Sequence, residues 1–160
     1  MVEMVAGATQ EKNTALLAIG VAGLAAGTID LLQACIFFGR DIPLAIAGGI
    51  LGREAFHGGT GTYILGVALH YFIALSAAAI YYMASRRLLY LQESWLVCGL
   101  FFGAAVEDVM RFVVLPLSAL HSHGPYELNK LLLGLGVHMV TIGLPIAYCV
   151  RRFTQRRTQG

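Results

Sequence analysis

Three ionisable side chains, Glu107, Asp108 and Arg111, interrupt an otherwise apolar run from Ser94 to Leu120 that is long enough to cross a bilayer. Each such group costs about 2.5–3.5 kcal/mol at the centre of a membrane helix, so all three should face a protein interior or a water-filled cavity and be paired there. Arg111 follows Glu107 by four residues and Asp108 by three, so its guanidinium can reach either acid on one side of a helix. One acid is then left seeking a partner elsewhere. Asp30, His70 and His138 are the candidates, because each stands inside another apolar run. At 1.5 Å per residue from the outer helix ends, all of these groups fall at roughly 12–18 Å, near the bilayer midplane. Three acids against one arginine leave two negative charges if all are ionised, which two protonated histidines or one divalent cation would neutralise. That excess fits a site that handles protons or a cation, as a transport path or a sensor. The rival is a structural or assembly protein whose polar network only fixes helix packing.

The elements that must carry these residues are membrane helices. The 160 residues are 58% hydrophobic and only 12% charged, with mean hydropathy +0.71, a composition of the integral membrane class. Four runs, about 15–38, 61–84, 95–119 and 128–150, meet the ~20 residues a span needs, which predicts one all-α domain over 1–160, a four-helix bundle in the bilayer. The apolar piece from Ile42 to Leu51 is too short to cross and is expected as a short helix on the outer face. The first 14 residues carry Glu3, Glu11 and a single Lys12, not the basic start of a secretory signal, so the first helix is expected to be retained.

With four spans, Lys12, Arg86, Arg87, Arg151, Arg152, Arg156 and Arg157 share one side, against Arg40, Arg53 and Lys130 on the other. The excess of positive charge on the inner side puts both termini in the cytoplasm. The net charge of +2 therefore reflects topology, and no nucleic-acid partner is expected. Cys35, Cys98 and Cys149 lie in or at the ends of spans and read as ordinary buried thiols.

Small residues mark where helices approach. Gly20, Gly23, Gly27 and Asp30 recur at three- and four-residue steps in the first span, Gly99 and Gly103 precede the acids of the third, and Gly66 and Gly134 each precede a histidine by one turn. Gly23, Gly27, Gly66, Gly99, Gly103 and Gly134 are thus the expected packing positions, and a homo-oligomer through such faces is the expected protein partner beside the lipid bilayer. The two halves read as parallel helical-hairpin repeats about an axis along the membrane normal, with His70 and His138 facing each other across it. Two histidines so placed could hold a haem or, with the acids, a divalent metal. The outer-loop histidines His57, His121 and His123 form a looser metal set, for which solvated side chains are the plainer reading. No two spans carry the Glu-x-x-His motifs of di-metal bundles, and Gly58-Gly59-Thr60-Gly61 lacks the lysine and strand of a phosphate loop. No nucleophile or oxyanion site is evident, so an enzyme is not the expectation.

The order of Gly23 and Gly27 in span one, His70 in span two, Gly99, Gly103 and Pro116 in span three and His138 in span four resembles the YagU-like bacterial inner-membrane proteins. The resemblance implies a small multi-span protein of the bacterial inner (cytoplasmic) membrane, linked in that family to acid tolerance. The Glu107-Asp108-Arg111 group departs from its less charged third helix.

Overall fold

The computed structural model describes residues 2–122, 124 and 127–155, and every regular element among them is helical. Helix α1 (Val2–Phe38) leads to a short α2 (Ile42–Leu51), a 3₁₀ turn (Gly52–His57) and α3 (Thr60–Arg87). One turn of helix, α4 (Tyr90–Glu93), precedes α5 (Trp95–Val109), which widens into a π turn (Met110–Val114) and ends in α6 (Leu115–Leu117). The last run is α7 (Leu128–His138), a second π turn (Met139–Gly143) and α8 (Leu144–Gln155).

Three helices are long and apolar enough to cross a membrane: Lys12–Phe38, Thr60–Arg87 and Leu128–Thr154. The run from Trp95 to Leu117 is also helical throughout, but it carries the three central charges. Large apolar side chains point outward along all four, among them Ile36, Phe72, Phe101 and Val140, as suits a bundle solvated by hydrocarbon.

The helices are assembled along rows of residues four apart. On α1 the row is Ala18, Ala22, Ala26 and Asp30, whose three alanines are fully buried. They pack in one core with Ala77, Ala78, Tyr81, Ile142, Ile146 and Val150. The neighbouring face of α1 carries Gly23 and Gly27, where an added methyl would press on Leu75 (2.8 Å) and Ala74 (3.0 Å) of α3. Gly20 has nothing within 4 Å, so the acid shares its face with alanines and not with the glycines. On α5 the row is Gly99, Gly103, Glu107 and Arg111, and its two glycines let the backbone of the last span come into contact. A methyl on Gly103 would meet the His138 carbonyl, and one on Gly99 would lie 3.0 Å from the Gly143 carbonyl.

These contacts do not obey the predicted twofold repeat. Helix α1 packs against both α3 and α8, whereas α3 and α5, which such an axis would pair in the same way as α1 and α8, do not pack backbone to backbone. Tyr81 and Phe102 span the α3–α5 gap as an edge-on ring pair at 4.9 Å. Gly66 is not a span–span contact either. It faces α2, where any side chain would run into the carbonyl of Pro43. Helix α2 is held from its other side by Ala119, whose N–H donates to Gly49 at 2.8 Å.

At the opposite end the chain is tied by polar tips on apolar bodies. Tyr81 donates to the Leu91 carbonyl at 2.9 Å, Gln92 to that of Ser85 at 2.7 Å, and Arg151 lies over the Trp95 ring.

Both π turns end two residues before a proline, immediately ahead of Leu115-Pro116 and Leu144-Pro145. A proline ring collides with the carbonyl four residues back, and the wider turn removes that collision: Leu115 donates five residues back to Met110, and Leu144 to Met139. The glycine contacts yield a paired test. Gly103→Ala should cost about 1–3 kcal/mol through overpacking, whereas Gly20→Ala should be neutral or gain up to about 1 kcal/mol from helix propensity, as read by denaturant unfolding in detergent micelles.

Candidate functional site

Glu107 is the centre of the polar site. Its side chain is only 6% exposed, and its two oxygens are divided between two partners. Oε1 accepts from Arg111, with Nε at 2.8 Å and Nη2 also in close contact. Oε2 lies 3.1 Å from Nδ1 of His138. The four-residue step from Glu107 to Arg111 closes the first pair within one helix, and the glycine contact of α5 with α7 supplies the second across helices.

Gly134 serves this site twice. Its carbonyl lies 3.1 Å from His138 Nδ1, one turn on, and its missing side chain leaves room for the ion pair. A methyl there would collide with Glu107 Oε1 and come within 2.8 Å of Arg111 Nη2. Nδ1 therefore faces two acceptors and must carry a hydrogen, donated towards Glu107 and Gly134. The side chain of His138 is 24% exposed.

Asp30 occupies a separate, neighbouring position. It is 7% exposed on α1 and accepts from Thr141 Oγ1 at 2.7 Å. The same hydroxyl lies 2.9 Å from the Val137 carbonyl, so its one hydrogen is shared by two acceptors. His138 and Thr141 are three residues apart, one before and one inside the second π turn. The last span thus holds Glu107 of α5 with one residue and Asp30 of α1 with the next turn.

The other expected members are elsewhere. His70 donates from Nε2 to the Gly27 carbonyl at 2.8 Å, so Nε2 bears the hydrogen. It belongs to the α1–α3 hairpin, and α3 does not pack against α7. The two histidines therefore have separate partners, Gly27 for His70 and Glu107 with Gly134 for His138. Asp108 is exposed and has no hydrogen bond or ion pair among the described residues. Consecutive helix residues are turned by about 100°, so an inward Glu107 sends Asp108 outward. His57 and His121 are exposed, and His123 lies outside the described residues. Among the described residues no group of three or more His, Cys, Asp or Glu is placed to hold a metal ion.

Sequence reasoning missed Thr141 and the two π turns. Thr141 is a lone hydroxyl in an apolar span three residues after His138, and each π turn is announced by a Leu-Pro pair downstream of a polar residue.

If the Asp30–Thr141 contact holds α1 to the last span, Thr141→Val should cost about 1–3 kcal/mol, because it strips a buried acceptor of its donor. Adding Asp30→Leu should recover much of that loss. A double-mutant cycle on unfolding free energies measures the coupling, and additive losses would mean that the two side chains do not interact.

No protein-family model, curated protein or solved structure matches this chain.

Proposed function

We propose that this chain is a four-span protein of the bacterial inner membrane, with both termini in the cytoplasm, whose Glu107–Arg111–His138 triad takes up and releases protons within the bilayer. The observation that carries the reading is the placement of His138 Nδ1 between two acceptors, both at 3.1 Å. Glu107 and Gly134 fix the ring and its tautomer, and Nε2 is left as the exchanging atom. Arg111 favours protons over a metal cation as the species handled, because a cation on Glu107 would have to displace a guanidinium already bound at Oε1. Arg111 lies inside the π turn Met110–Val114 and His138 immediately before the one at Met139–Gly143, and such turns recur at functional sites in helices. The unequal division of basic residues supports the orientation, and the likeness to YagU-like proteins points towards acid tolerance.

Two measurements test the proposal. In ¹⁵N-histidine spectra of the protein in bilayers, Nδ1 of His138 should carry its hydrogen at every pH, with the change of protonation confined to Nε2. In proteoliposomes carrying an internal pH dye, Glu107→Gln and His138→Gln should abolish a proton flux driven by a potassium diffusion potential, with Gly20→Ala unchanged. A pH-invariant His138 would reduce the triad to a packing network; titration without flux would leave sensing as its role. Reporter fusions at Gly160 and near Gly124 should report opposite compartments, and agreement between them would remove the four-span topology.

A further inference from the structure

We infer that the cleft at the end of α3 binds a phospholipid with an anionic headgroup, its phosphate on Arg86 and Arg87 and an ester oxygen on the Tyr82 hydroxyl. The inference rests on Thr60–Arg87 crossing the bilayer, and not on proton handling.

The cleft has a volume of about 520 Å³ and is lined on α3 by Ile80, Tyr82, Met83, Ala84, Arg86 and Arg87. Tyr82 is the residue that points to a ligand. It is only 8% exposed and has no hydrogen bond among the described residues, whereas a buried tyrosine hydroxyl normally finds a partner. Its neighbour Tyr81 has one in the Leu91 carbonyl. Arg87 is exposed and likewise has no hydrogen bond or ion pair among the described residues.

The groups follow one another along α3 in the order of a phospholipid's parts. Arg86 and Arg87 stand in the last turn of the helix, where a phosphate would lie. Tyr82 is one turn deeper than Arg86, about 6 Å along the axis, where the glycerol esters follow the phosphate. Ile80 and Met83 are exposed, and with Arg87 they are spaced by three and four residues, so one acyl chain can follow a single strip from headgroup to tail. Leu88, Leu89 and Tyr90, exposed just beyond, suit a segment set into the membrane surface. Residues 80–92 contain no acid, so this strip answers an anionic headgroup and has nothing for the ammonium of a zwitterionic one. A free phosphate ester would leave the apolar part of the strip uncovered.

The test is native mass spectrometry of the full chain in detergent micelles, titrated with dioleoyl phosphatidylglycerol or dioleoyl phosphatidylcholine. The anionic lipid should bind more tightly by about five-fold or more, and Arg87→Gln should remove about five-fold of its affinity, the worth of one basic residue beside an anionic membrane surface. Tyr82→Phe should weaken both lipids by about two- to ten-fold, the range of one hydrogen bond, because the ester is common to both. Arg53→Gln, in the 3₁₀ turn Gly52–His57, should change neither. Glycerophosphoglycerol, the same headgroup without acyl chains, should not displace the bound lipid at equal concentration. Equal affinity for the two lipids, or equal losses from Arg53→Gln and Arg87→Gln, would reduce the effect to diffuse surface charge and overturn the site. An unchanged Tyr82→Phe would place the lipid outside the cleft, and displacement by glycerophosphoglycerol would make the ligand a soluble phosphate ester; either result refutes the inference.

Discussion

A carboxylate withdrawn from water must be answered on every lone-pair side, and Glu107 sets this demand for the second half of the chain. Arg111 answers one oxygen from the same helix and His138 the other from across the bundle. The second contact is possible only because α5 and the last span touch at backbone distance, which in turn requires glycine at 99, 103, 134 and 143. Removing one partner of a buried pair costs several times what a solvent-exposed pair is worth, since the remaining charge has nothing to replace it. The glycines and the charged residues therefore form one unit: neither set is tolerable in an apolar span without the other.

Helix α1 solves a different problem, that of meeting two neighbours with one slender rod. Its alanine row accepts the last span and its glycine pair accepts α3, on faces one residue apart. Helices that draw no hydrophobic gain from leaving lipid depend on such close packing and on a few polar contacts for their association. Asp30 and Thr141 add one of these polar contacts at the end of the alanine row, and His70 adds another by bonding the Gly27 carbonyl at the crossing with α3.

The helical character and the separate short α2 were legible in the sequence, because hydropathy and helix-breaking residues are local signals. The partner of each polar group was less so. Asp30 and His138 were placed in a single cluster on depth alone, but depth says nothing about azimuth, and azimuth separates Glu107 from Asp108 within one turn. The repeat of Gly66-to-His70 and Gly134-to-His138 was a true similarity of spacing with unlike consequences. In the first half the glycine receives α2, and in the second it makes room for an ion pair. A gapped likeness between apolar segments does not reveal which neighbour each small residue will receive.

The second π turn also governs helical phase. Gly134, His138, Ile142, Ile146 and Val150 are spaced by four, and over those 16 residues an unbroken α-helix would carry the last about 160° round from the first. The extra residue taken up in the turn from Met139 to Gly143 returns about 100° of that drift, leaving about 60°. One strip of the last span can thus address α5 with Gly134 and His138 and still present Ile146 and Val150 to the alanines of α1. Pro145 is the timing mark of this arrangement: it fixes where the phase is reset, and with it which side chains the bundle sees above and below.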